Sequence, residues 1–136
     1  MAGRVQGKIA LITGAAQGLG EAIARMLVRE GARVVLTDLN AAKVEAVAAS
    51  LGADKAVDFA QDVTDEAGWI ATIDKAASAF GGIHILVNNA GISGGTTVTE
   101  TPFDVWKKVH AVDLDSVFLG CKYAIPAMAK TVKETG

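Results

Sequence analysis

Four short apolar segments alternate with longer segments of helical periodicity, and this alternation constrains the fold more than any other feature of the sequence. Residues 8–13 are apolar throughout apart from the two end positions, as expected for a strand that is covered on both faces. Three further segments are also mostly apolar: residues 33–37, which Asp38 follows, residues from about 56 to 60, and residues 83–87. These segments predict four strands.

The segments between the strands predict helices. Residues 18–30 and 41–51 carry apolar side chains at helical spacing, and a glycine, Gly31 or Gly52, follows each of them. Asn40 is the expected N-cap of the second helix. Thr64 is the expected cap of a third helix, which Gly81 ends. One face of this helix is expected to carry Trp69, Ile70, Ile73, Ala77 and Phe80.

A fourth helical pattern covers residues 103–130. Thr101 is its expected capping residue, Pro102 its first helical position, and Pro126 is expected to bend or interrupt it. Strands that alternate with helices form βαβ units, so the sequence predicts an α/β fold with a doubly wound parallel sheet. Such sheets bind ligands outside the carboxyl ends of their strands.

Length and composition exclude several classes of protein. The chain has 136 residues, enough for one domain over residues 1–136, and its formal net charge of −2 gives no electrostatic footprint for nucleic acid. Its apolar stretches are too short to span a membrane, and one cysteine, Cys121, excludes an internal disulfide framework. We therefore expect a cytoplasmic protein. With two histidines and one cysteine, no zinc site is expected.

A glycine-rich segment follows the first predicted strand and directly precedes a helix. Its glycines, Gly14, Gly18 and Gly20, would let the backbone approach a pyrophosphate, and the helix N-terminus would attract that anion. The spacing is Gly-x-x-x-Gly-x-Gly rather than the common Gly-x-Gly-x-x-Gly. A turn that only packs a helix on a strand is the alternative.

Asp38, 18 positions after Gly20, closes the second strand. A carboxylate there can accept hydrogen bonds from both ribose hydroxyls of an adenosine and repels a 2′-phosphate, so it favours NAD over NADP. The alternative is an acidic residue that only precedes a helix. Asp62 and Val63 follow the third strand and could read an adenine edge, although Asp62 could equally be a solvated turn residue.

Asn88, Asn89, Ala90 and Gly91 follow the fourth strand. The sequence resembles the short-chain dehydrogenase/reductase family over about residues 7–129. The motifs that carry this resemblance are, in order, the glycine-rich segment, Asp38, Asp62-Val63 and residues 88–91. The resemblance implies a Rossmann-type fold, a nicotinamide cofactor and an alcohol or ketone substrate. It assigns to the cofactor a set of residues at the strand ends, with Asn88 stabilising the sheet: Gly14, Gln17, Gly18, Leu19, Gly20, Asp38, Asp62, Val63, Asn89, Ala90 and Gly91.

Two departures from the family pattern bear on catalysis. Asp113 stands where the family has a catalytic Asn, and an ionised aspartate only accepts hydrogen bonds whereas Asn also donates them. The sequence ends at Gly136, where a fifth strand is expected, before the family's Ser and Tyr-x-x-x-Lys; Tyr123 has Ala127 four residues later. We therefore expect a C-terminally truncated cofactor-binding domain without turnover of its own. Alternatives are a non-catalytic dinucleotide-binding or interaction module, and a folding fragment.

Other polar and aromatic residues are expected to be structural. His84 is interpreted as a core or edge histidine, His110 as a packing or interface residue, and Cys121 as buried packing. Trp69 and Trp106 are expected to anchor the core or a helix interface. The family resemblance implies a homo-oligomer, a dimer or tetramer, through the helix 103–130, whose apolar stripe is Val117, Phe118, Cys121, Ile125 and Met128.

Overall fold

The computed structural model describes residues 3–135 and contains one parallel sheet. Its strands are β1 (Ile9–Thr13), β2 (Arg33–Asp38), β3 (Ala56–Ala60) and β4 (Ile85–Val87), in the spatial order β3-β2-β1-β4. In β1 every residue is buried, and Ile12 lies between Leu36 of β2 and Val87 of β4. The chain changes direction of winding between β1 and β4, so the crevice for a ligand lies at the carboxyl ends of these strands.

Helices cover both faces of this sheet, as a doubly wound α/β fold requires. The helices are α1 (Gly18–Arg29), α2 (Ala41–Leu51), α3 (Glu66–Phe80), α4 (Phe103–His110) and α5 (Ser116–Thr135), with a π-helical segment at Ala111–Asp115 between the last two. Alternate strand residues point to opposite faces, so Ile12 packs with α1 and α2 whereas Leu11 packs with α3 and α5. Among residues 3–135, no helix has the length and apolarity to cross a bilayer.

Three details of the third helix and fourth strand differ from the sequence prediction. The N-cap of α3 is Asp65, whose carboxylate accepts the N–H groups of Ala67 and Gly68, because the hydroxyl of Thr64 is hydrogen-bonded to Asp62. Ile70 is 47% exposed and lies off the packed face of α3. β4 begins at Ile85 rather than 83, since the N–H of Ile83 donates to the Thr131 hydroxyl of α5.

The last predicted helix also differs. Pro102 is the N-cap of α4, and the hydroxyl of Thr101 donates to the carbonyl of Thr97 instead of capping the helix. The regular pattern changes at Ala111–Asp115, and α5 is not interrupted at Pro126. A π-helical turn inside an α-helix is frequent at functional sites, and this one contains Asp113.

The aromatic anchors divide between core and surface. Trp69 is fully buried between α3 and the sheet, as expected, and its indole N–H donates to the carbonyl of Val63 at 2.8 Å. Trp106 is 53% exposed, so of the two expected roles it is not a core anchor, and a role at a helix interface stays a prediction. Its ring lies 4.3 Å from that of His110, which confirms a packing role for His110.

Candidate functional site

The glycine-rich loop joins β1 to α1 at the carboxyl edge of the sheet. Gly14 has φ 63° and Gly18 φ 59°, a backbone region that favours glycine. A Cβ at Gly20 would lie 2.2 Å from the carbonyl oxygen of Gly14, so the loop folds tightly on the start of α1. A Cβ at Gly18 would meet nothing within 4 Å, so this part of the loop is open.

The N-terminus of α1 is not capped by a side chain. Gln17 is the N-cap residue and makes no side-chain capping bond; its Oε1 instead accepts from Lys43 Nζ at 3.2 Å. The first N–H groups of a helix have no partner within the helix, and here they follow an open glycine. Together with the helix dipole, they can bind a phosphate group of a dinucleotide. Leu19, at the same end, is 77% exposed.

Asp38 at the end of β2 is fixed beside this loop. Its Oδ2 accepts the N–H of Ala16 at 3.2 Å, and its Oδ1 accepts that of Asn40 at 2.9 Å. Two main-chain bonds therefore hold the carboxylate between the glycine-rich loop and the start of α2. An ionised carboxylate has about four lone-pair positions, so it can also accept two hydroxyl hydrogens from a ribose.

Asn89, after β4, is hydrogen-bonded to the end of β1. Its Nδ2 donates to the carbonyl oxygens of Thr13 and Gly14, both at 3.1 Å. The Thr13 hydroxyl accepts the N–H groups of Asn89 and Ala90, at 3.1 and 3.0 Å. The sheet-stabilising role expected of Asn88 therefore belongs to Asn89. Asn88 is directed to α5, with its Nδ2 3.8 Å from Cys121 Sγ.

Thr13, the first residue of the glycine-rich motif, holds the site together through a side chain to which the sequence analysis assigned no role. Its hydroxyl is the common acceptor for two N–H groups, and the residue is 1% exposed. The available signal was a hydroxyl side chain at the end of an otherwise apolar buried strand. Its partners, 76 and 77 positions away, could not be read from the local pattern.

Asp62 and Val63 lie after β3, and each has a hydrogen-bonding group that is already engaged by another residue of the chain. Asp62 Oδ1 accepts the N–H and the hydroxyl of Thr64, and these two hydrogen bonds hold the pKa of the Asp62 carboxyl below its ordinary value. Val63 is buried, and its carbonyl oxygen accepts the indole N–H of Trp69. An adenine contact by these residues stays a prediction.

Asp113 is hydrogen-bonded to the loop that follows β4. Its Oδ1 accepts the N–H of Ile92 at 2.8 Å, and a Cβ at Gly91 would lie 3.4 Å from the same oxygen. The π-helical segment thus brings a carboxylate to the carboxyl edge of the sheet, beside Gly91. Among residues 3–135, no group of three or more His, Cys, Asp or Glu side chains could hold a metal ion.

Comparison with known proteins gives a consistent result. A family model described as short chain dehydrogenase matches residues 8–135. The chain is 45% identical over 136 residues to the 3-alpha-(or 20-beta)-hydroxysteroid dehydrogenase of Mycobacterium tuberculosis H37Rv, covering all of this chain and 50% of the relative. It is 42% identical to the NADP-dependent (R)-specific alcohol dehydrogenase of Lentilactobacillus kefiri, over 94% of this chain and 51% of the relative.

A solved structure has the same architecture. The 3-ketoacyl-(acyl-carrier-protein) reductase from Brucella melitensis complexed with NADH superposes with a TM-score of 0.91 at 35% identity, over 96% of this chain and 54% of the reductase chain. The chain spans about half the length of the curated relatives it matches.

Proposed function

This chain belongs to the short-chain dehydrogenase family, a family of oxidoreductases, and we propose that it binds NAD in preference to NADP at the carboxyl edge of its sheet. The bound nicotinamide would supply the hydride-transfer chemistry. The residues of this chain would hold and orient it. The open glycine-rich loop, the uncapped start of α1 and the fixed Asp38 carboxylate all suit a dinucleotide.

The position of Asp38 carries the preference for NAD. Because main-chain N–H groups hold both carboxylate oxygens, the side chain cannot easily turn away from a 2′-phosphate. Two negative groups at one site repel each other, whereas two ribose hydroxyls donate to the carboxylate. The ammonium of Lys43 donates to Gln17 Oε1 at the start of α1, and its positive charge would act against this preference.

Fluorescence titration with NADH and NADPH tests this assignment. We expect NADH to bind at least about tenfold more tightly, and Asp38→Asn to narrow that difference, since it removes the charge and keeps one acceptor oxygen. Asp74→Asn, which removes a carboxylate from α3, is the matched control and should change neither affinity. Equal or tighter binding of NADPH by the unaltered chain would overturn the proposal.

For the reaction, we propose that the chain is the cofactor-binding part of an oxidoreductase that interconverts an alcohol and a ketone or aldehyde. The 136 residues contain one tyrosine, Tyr123, followed four positions later by Ala127. A lysine beside a phenol is what makes the phenol a useful proton donor and acceptor near neutral pH. A purified polypeptide of these 136 residues should bind NADH and show negligible carbonyl reduction.

We further propose a homo-oligomer, a dimer or tetramer, that associates through residues 103–130, in the reducing environment of the cytoplasm. Several large apolar side chains of this region are more than half exposed: Phe103, Trp106, Leu114, Phe118 and Ile125. Met128, in contrast, packs against the core. Light scattering should show a smaller assembly for Phe118→Asp than for Lys108→Asp, a charge change on the same region.

A non-catalytic dinucleotide-binding module is the second candidate, and Asp113 favours it. The hydrogen bond from Ile92 N–H to the Asp113 carboxylate is one that an asparagine could also accept, but aspartate has no N–H to donate to a water or substrate. A polypeptide that continues this sequence into a Ser and a Tyr-x-x-x-Lys and reduces a carbonyl would exclude this candidate.

A further inference from the structure

A second cleft lies at the amino edge of the sheet, opposite the glycine-rich loop. It has a volume of about 350 Å³ and opens where β1 and β2 begin and where the chain enters β4. Its polar lining residues are Gln6, Lys8, Arg33, His84 and Thr135. It shares no residue with the proposed dinucleotide site, which lies at the carboxyl ends of the same strands.

The charged side chains among the described residues that line this cleft are of one sign. Lys8 and Arg33 line it, no carboxylate is among its lining residues, and neither cation forms an ion pair within residues 3–135. The guanidinium of Arg33 lies 5.0 Å from the centre of the Phe80 ring, another lining residue, and this cation–π contact holds the charge at the cleft.

The imidazole of His84 lines the cleft as a neutral polar side chain. Its Nδ1 accepts the N–H of Ile9 at 3.1 Å, so the ring proton is on Nε2, 3.2 Å from the Thr135 hydroxyl oxygen. That hydroxyl donates its own hydrogen to the carbonyl of Thr131. Burial, and then the charges of Lys8 and Arg33, lower the pKa of His84, so the positive field of the two cations reaches the imidazole.

We propose that this cleft binds a phosphate group, either free or as the terminal group of a small ester, between Lys8 and Arg33. A dianion would compensate both cations at once, because a guanidinium and an ammonium can each donate hydrogen bonds to its oxygens. The amide of Gln6 is a further donor at the rim. A bound dianion would also favour the imidazolium form of His84.

Amide NMR titration at constant ionic strength tests this, with inorganic phosphate in one arm and methyl phosphate in the other. Signals of Gly7 and Gly81, which line the cleft, should shift and saturate, separately from any shifts at Gly18 in the glycine-rich loop. Lys8→Met and Arg33→Met should each weaken binding at the cleft about tenfold. Lys75→Met is the matched control, because Lys75 lies over the Phe59 ring at 5.5 Å and outside the cleft.

Saturation with inorganic phosphate alone would show that the cleft takes only the free ion, and saturation in both arms would show that it also accepts a phosphate monoester; either result supports the proposal. Shifts at Gly7 and Gly81 that do not saturate, that chloride reproduces, or that persist in the variants would overturn it. If Arg33→Met does not fold, Lys8→Met decides. As a second measurement, phosphate should raise the pKa of His84 in the unaltered chain, and about tenfold more phosphate should be needed for the same rise in Lys8→Met.

Discussion

Thr13 and Asn89 form a reciprocal pair: the main-chain N–H of Asn89 donates to the Thr13 hydroxyl, and the Asn89 side-chain amide donates to the Thr13 carbonyl, both at 3.1 Å. The same amide also reaches the carbonyl of Gly14. The pair joins the end of β1 to the residues after β4 and thereby fixes the base of the glycine-rich loop. The geometry of the proposed cofactor site therefore depends on a contact that is not itself with the cofactor.

Asn89→Ala should destabilise the fold by about 2 kcal/mol, because it removes two hydrogen bonds and leaves two carbonyl groups without their donors. Urea unfolding followed by circular dichroism measures this. Asn88→Ala is the matched control and should cost clearly less, since within residues 3–135 the Asn88 amide has only a weak sulfur partner at 3.8 Å. Equal losses would show that Asn89 does not have this special role.

Thr13 and Thr37 are register partners on β1 and β2, and the same substitution should affect them in opposite ways. Thr13→Val would leave two N–H groups without an acceptor and should cost about 2 kcal/mol. The buried hydroxyl of Thr37 has no hydrogen-bond partner within residues 3–135, so Thr37→Val should be neutral or stabilising. Urea unfolding of both variants gives the comparison, and a similar loss in both would contradict the prediction.

Asp113→Asn should unfold at the same urea concentration as the unaltered chain. The amide oxygen of asparagine can accept the N–H of Ile92 as the carboxylate oxygen does, whereas Asp113→Ala removes the acceptor. The alanine variant should unfold at a lower urea concentration. If the asparagine variant loses as much as the alanine variant, the negative charge and not the hydrogen bond holds the loop after β4.

Stability should fall as the pH is lowered from about 6.5, the ordinary pKa of histidine, through the lower pKa of folded His84. Between these two pKa values, His84 binds a proton more readily in the unfolded chain than in the folded one, so the free energy of unfolding rises with pH. The contribution of neutral His84 to stability is therefore complete above about pH 6.5. Protonation also places a hydrogen on Nδ1, which now accepts from Ile9.

Denaturant unfolding between pH 5 and 7 measures this dependence. Carboxyl groups with lowered pKa values, such as Asp62, titrate below this range. His84→Gln should flatten the pH dependence. An unchanged slope in that variant would show that other groups cause it.

Most of the fold could be predicted from the sequence because its signals are local. Helical spacing with Asn40 before it and Gly52 after it predicted α2 with its observed bounds. The segment predicted for β1, residues 8–13, begins one residue before the observed strand and ends with it. Parallel strands place their carboxyl ends at one edge, so the location of the glycine-rich loop, Asp38 and the segment after β4 at that edge also followed.

Particular partners could not be predicted, because they depend on contacts between residues far apart in the chain. Asn88 and Asn89 are the same residue type at adjacent positions, and only the register of β4 against β1 decides which amide reaches Thr13. Likewise, Trp69 and Trp106 both suit a helix, but only α3 packs its tryptophan against the sheet.

The sequence by itself thus determined the alternation of strands and helices and the edge at which polar residues gather. Periodicity and turn chemistry depend on neighbouring residues only. The tertiary structure decided which of those polar groups are used within the fold and which stay available to a ligand, because a hydrogen bond requires two groups within about 3 Å of each other. Asn89 is held by Thr13, and Asp38 by two N–H groups with acceptor positions to spare.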